Sequence, residues 1–146
     1  MSAALYSRDI LRLAVSIPHQ QRLENPDGTA EARSRACGSR VLADVAVSAE
    51  GRITSLGIEI NACALGQASA AILGNEAIGK AVDEIVGVRA HLADFLAGSA
   101  GHPGDWKNMN HLEAARSHAG RHAAILLPYD ALIAALESAA TKHKAA

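Results

Sequence analysis

The sequence is poor in cysteine and poor in aromatic rings. Thiols occur only at Cys37 and Cys63 in 146 residues, and aromatics make up 3% of the chain. Two cysteines cannot staple a chain of this length, so its stability must come from an ordinary core. That core is built from Ala, Leu, Ile and Val, with Phe95 and Trp106 as isolated large pieces. Neither sign of charge is in excess. Lys and Arg number 14 against 15 for Asp and Glu, a formal charge of -1, which excludes a strong pull toward nucleic acid or anionic lipid. No uninterrupted apolar run approaches the ~20 residues of a membrane span, so no membrane partner is expected. Residues 1–9 lack the basic flank and apolar centre of a secretion signal, and the cytoplasm is the expected compartment. There, Cys37 and Cys63 are expected as free thiols or ligands rather than as a disulfide.

What is present is apolar patterning, over 49% of the chain. Leu5, Ile10, Leu13, Ala14 and Ile17 share one helical face, which Pro18 ends. Residues 19–28 are polar, and Asn25-Pro26-Asp27-Gly28 is a turn signal. Weak alternation over 29–36 suits an edge strand or an extended loop. Val41, Ala43, Val45 and Val47 alternate along a strand over 40–48. Ala49-Glu50-Gly51 turns it, and 52–62 runs back, which makes the clearest hairpin in the sequence. A helix then runs from Gly66 to a break at Ile78-Gly79-Lys80. The next helix carries Val82, Ile85, Val86, Val88, Leu92, Phe95 and Leu96 on a wide apolar face. A loop over 98–104 follows, then a short helix over 112–119. The apolar run 123–127 is expected to stop at Pro128, and a last amphipathic helix to occupy 130–140.

The two thiols frame the hairpin. Cys37 lies three residues before its first strand and Cys63 just after its second. If the arms pair about the turn, residues whose numbers sum to roughly 100 lie opposite one another. Cys37 and Cys63 then meet at the open end of the hairpin. Cys63 also stands where a strand ends and a helix begins. The free N–H groups and positive dipole end of a helix N-terminus favour the thiolate, the form that binds soft metals or accepts sulfur. A small buried core residue is the plainer role for either cysteine.

These residues resemble the family of NifU N-terminal domains, IscU and SufU, the scaffolds of iron–sulfur cluster assembly. The matching order is an N-terminal helix, Cys37-Gly38, the Glu50-Gly51-Arg52-Ile53 hairpin, and Cys63 followed by Ala68-Ser69-Ala70. Gly79-Lys80, Asp83-Glu84 and Leu127-Pro128-Tyr129-Asp130-Ala131-Leu132 complete it, so that the resemblance covers about residues 5 to 136. It implies an α+β fold, a three-stranded antiparallel sheet packed against four to six helices on one side. A single domain over 1–146 is expected, with 1–4 and 141–146 as frayed tails. It further implies a [2Fe–2S] cluster, iron or zinc as cargo, a cysteine desulfurase as sulfur donor, and acceptor proteins for the finished cluster. Soft thiolates suit all of these metals.

The sequence departs from the family at the ligands. The resemblance implies three cysteines and an aspartate; Ser39 stands where Cys-Gly-Asp has its acid. Counting back from Pro128 puts Ala124 at the third cysteine. Cys37 and Cys63 remain as cluster and metal ligands, with His122, one or two residues off, as a weak third. Three outcomes are open. One is a labile mononuclear site completed by His122 or solvent. Another is a homodimer in which two copies give four thiolates to one [2Fe–2S] core. The third is a relic of the fold with the thiols reduced to packing or redox roles, and an alternative function is then a cluster-free protein that docks on assembly partners. A Cys63 nucleophile would need a base such as His122 or His91, and no signature motif accompanies it, so no enzymatic activity is expected.

Overall fold

Alternation decides the sheet. In the computed structural model, which describes the backbone of residues 5–145 and the side chains of residues 5–142, the strands are β1 (Gly28–Arg33), β2 (Arg40–Val47) and β3 (Ile53–Asn61). They form one antiparallel sheet in the order β1-β2-β3. Arg40 pairs with Asn61 and Val45 with Leu56, so the hairpin has the register expected from its turn, with one irregularity at Ala46/Val47. The segment over 29–36 resolves into the edge strand β1, with Arg33 opposite Arg40.

The α-helices among the described residues are α1 (Arg8–Ala14), α2 (Ala64–Glu76), α3 (Val82–Ala97) and α4 (His122–Ala145). Short 3-10 segments, Met109–Ser117 and Ala119–Arg121, lead into α4. The fold is α+β, as the resemblance implied. Val41, Ala43 and Val45 on the inner face of β2 are buried, and α4 packs across β1 and β2 while also touching α2 and α3. The approach is close enough to require glycine: a Cβ on Gly28 would stand 2.0 Å from the Ala135 carbonyl oxygen. Backbone contact of this kind lets the helix settle directly on the strand.

Part of the outer face of the sheet, around Asp44 and Gly57, is covered by chain rather than by a helix. Ile58 N–H donates to the His19 carbonyl at 2.8 Å, and residues 19–27 then cross to β1. Asp44, fully buried on this face, accepts from Arg22 Nε at 2.6 Å, from Leu23 N–H at 3.0 Å and from Thr29 Oγ1. Burial alone would raise this carboxyl, but the Arg22, Thr29 and Leu23 bonds outweigh it and hold it below the usual range.

Several expected boundaries move. The apolar run 123–127 and the helix over 130–140 are one helix, α4, which passes through Pro128. Proline inside a helix removes one backbone bond and costs about 3 kcal/mol. Burial of Ile125, Leu127, Tyr129, Leu132 and Leu136 along the unbroken helix outweighs that cost. The tail expected over 141–146 is helical as far as Ala145, and the one over 1–4 lies outside the described residues. Helix α1 stops at Ala14, short of Pro18, and the short helix over 112–119 is the 3-10 segment Met109–Ser117. One helix also qualifies by length and composition as a membrane span, with a mean hydropathy of 1.4 over a window in Ala119–Lys142. Pro128, Tyr129 and Asp130 interrupt its apolar runs in the sequence. In the fold it is the central helix of the core, and an apolar helix packed from several sides needs no lipid.

Candidate metal centre

Cys37 occupies the turn between β1 and β2. That turn is closed by Ser34 N–H donating to the Ser39 carbonyl and Gly38 N–H to the Ser34 carbonyl, each at 2.9 Å. Gly38 has φ 71°, a left-handed conformation that glycine adopts without strain. Among the described residues nothing lies within 4 Å of where its Cβ would be. Cys37 is exposed there.

Cys63 is the N-cap residue of α2, two positions after β3 ends, and is half-buried. Its side chain makes no capping bond, and no acidic residue occupies the first turn of the helix. The thiol is therefore not committed to closing the helix, and no carboxylate there competes for a cation. Because Arg40 pairs with Asn61, the turn holding Cys37 and the start of α2 lie at the same end of the sheet. Both cysteines are free.

Ala124, where the resemblance implies a third cysteine, also lies at this end. Gly66 is in the first turn of α2, and a Cβ there would stand 2.8 Å from Ala62 Cβ, 3.2 Å from the Ala124 carbonyl oxygen and 3.5 Å from Ala124 Cβ. Ala124 is thus packed beside the helix that begins at Cys63, and it is 1% exposed. A methyl group stands where the resemblance implies a thiol. Ser69, one turn further along α2, donates to the Ile125 carbonyl at 2.6 Å and fixes α4 against it.

Ser39 does something other than replace a ligand. It is buried, and its Oγ lies 3.0 Å from Cys37 Sγ. Hydrogen bonding from Ser34, and then from Ser39, holds the Cys37 thiol below its ordinary range, against the upward push of burial. Composition offers no sign of these contacts; the close spacing of Ser34, Cys37 and Ser39 around a glycine is the signal that could have found them.

His122 opens α4, and its Nε2 contacts the Ala115 carbonyl at 2.8 Å and that of Arg116 at 3.1 Å. Nε2 is spent on the end of the preceding 3-10 segment. Among the described residues no three His, Cys, Asp or Glu side chains converge to hold a metal ion, so His122 does not join the two thiols. His91 Nε2 lies 2.9 Å from the His102 carbonyl, and both histidines line a groove of about 400 Å³ that also includes Trp106. Neither thiol lines that groove. One chain presents two free thiols at this end of the sheet, two donors short of a closed tetrahedral or cluster site.

Comparison with known proteins agrees with the geometry. The family model of the NifU-like N-terminal domain matches residues 5–124. A NifU-like N-terminal protein from Brucella abortus has a solved structure similar to this one, at a TM-score of 0.90 and 29% identity over 96% of this chain and 97% of that one. The structure of a candidate iron–sulfur cluster assembly scaffold for the SUF system of Fervidobacterium islandicum superposes at a TM-score of 0.83, with 21% identity over 93% and 99%. No curated protein sequence matches. With its hairpin, its framing cysteines and a family match over most of its length, the chain belongs to the NifU-like N-terminal domain family.

Proposed function

We propose that this protein is a divergent iron–sulfur assembly scaffold, a non-enzymatic carrier that holds iron or a [2Fe–2S] cluster through Cys37 and Cys63 and passes it on. The observation that carries this reading is the placement of two free thiols, Cys37 exposed and Cys63 half-buried, at the same end of the sheet. Thiolates are the ligands that iron–sulfur cores select, and zinc shares that preference. A cysteine desulfurase as sulfur source and cluster acceptors as clients follow from family membership. Anaerobic incubation with ferric iron and sulfide is expected to give visible charge-transfer absorption that Cys63→Ser or Cys37→Ala abolishes. A colourless protein would remove cluster holding from the account.

One observation favours a second reading. Ala124 and Ser39 are both buried where the resemblance implies ligands, and neither offers a charged donor. A cluster-free protein that docks on assembly components would be captured by them equally well with both cysteines substituted.

A further inference from the structure

Gly87 stands in the interior of α3, where glycine is less stable than any residue but proline. Packing within the chain does not require it. Among the described residues no atom lies within 4 Å of where its Cβ would be, in contrast to Gly28 and Gly66. Gly87 lines the groove of about 400 Å³ between α3 and the loop that follows it, so the missing side chain widens that groove. Asp83, Gly87 and His91, spaced by four, line it from the helix, and His102, Asp105 and Trp106 from the loop. The walls are already set. His91 Nε2 lies 2.9 Å from the His102 carbonyl oxygen and the two rings meet with centroids 4.8 Å apart, which ties the loop to the helix. Trp106 is half-buried and stacks on the Tyr129 ring. A groove formed in advance loses little to ordering when something enters it.

We propose that this groove holds an arginine side chain of a partner protein. Its charge selects a cation: Asp83, Glu84 and Asp105 line it, and no lysine or arginine does. Glu84 is already taken, with Arg52 at 3.0 Å. Asp83 and Asp105, one on each wall, have neither an ion pair nor a hydrogen bond among the described residues. Asp83 also suits the positive end of α3, a role that Asp105 on its loop does not share. The shape of the lining selects among cations. A guanidinium is flat, stacks on an indole, and offers donors along its edges to two carboxylates, whereas an ammonium is a compact, strongly hydrated point charge. Its apolar stem is matched by Val88 and the histidine rings. Neither Cys37 nor Cys63 lines the groove, so the partner can be held whether or not metal is bound.

Trp106 is the sole tryptophan, so the fluorescence of the full-length protein reports on the groove directly. The probe is a capped pentapeptide of glycines around one arginine, compared with its citrulline and lysine counterparts and with methylguanidinium. The arginine peptide is expected to give a saturable change, and citrulline, the same shape without the charge, to bind about tenfold more weakly. Asp105→Asn should weaken the arginine peptide about two- to fivefold. Gly87→Leu fills the groove from the helix and should abolish binding, while its melting temperature stays level or rises because leucine is the better helix former. If that variant melts early, the comparison of arginine with citrulline on the wild-type protein decides alone. No saturable change, equal binding of the citrulline peptide, or undiminished binding to a folded Gly87→Leu protein would overturn the site. A lysine peptide bound as tightly would overturn the choice of a guanidinium, and methylguanidinium bound as tightly would overturn a protein partner in favour of a small ligand.

Discussion

The hydroxyls of Ser34 and Ser39 matter because a thiolate is a poor partner for anything but a donor or a metal. Both lower the proton affinity of Cys37, so more of it is ionised at neutral pH than of an ordinary cysteine. Ser34→Ala and Ser39→Ala are each expected to move the pH midpoint of Cys37 alkylation upward and to slow the reaction at neutral pH. An unchanged profile would show that the hydroxyls do not act on the sulfur. Asp44 is the second residue whose charge has a definite use. Its pKa is depressed, so its contribution to stability is present in full above the unfolded aspartate value and is lost as pH falls through the folded one. Asp44→Ala should cost about 1–3 kcal/mol in urea unfolding near neutral pH, and less in acid. Tyr129 works in the other direction. Among the described residues its buried hydroxyl has no hydrogen-bond partner, while its ring stacks on Trp106 with centroids 6.2 Å apart. Tyr129→Phe keeps the ring and removes the unpaired group, so it should stabilise the fold by about 1 kcal/mol.

Secondary-structure elements were legible to the degree that their periodicity was undisturbed. Val41, Ala43 and Val45 alternate cleanly, and Ala49-Glu50-Gly51 marks the reversal, so strand, turn and register could all be read. The thiols could be brought to one end of the sheet for the same reason. Helix α4 was hidden because Pro128 is a local stop signal, whereas the burial that overrides it is a property of the whole helix. Asp44 was hidden because a charged residue on an alternating strand reads as solvent-facing. Only the crossing of residues 19–27 over the outer face makes it a hub. The junction of β1 and α4 offers a direct test of how these elements meet. Gly28→Ala would drive a methyl into the backbone of α4 at Ala135 and Ala139. A loss of about 1–3 kcal/mol is expected in chemical denaturation, where an open site would gain a few tenths from the same change.

On the scale of the molecule, the sheet carries one loop and one helix start to a common end, and the long helix α4 brings Ala124 to the same place. The family fold is retained, and of the ligands that the resemblance implies only the cysteines at Cys37 and Cys63 are present in the sequence. The ligand loss was visible in the sequence once the resemblance had been drawn. That Ala124 is sealed by close packing, and that His122 is committed elsewhere, needed coordinates, because neither fact depends on residue type. The account stands on iron being held by the sulfurs of Cys37 and Cys63, and X-ray absorption at the iron edge of the loaded protein tests this most directly. The expected spectrum has a first shell made of sulfur, which disappears with Cys37→Ser combined with Cys63→Ser. Iron surrounded by oxygen and nitrogen, or a sulfur shell that survives the double substitution, would contradict it.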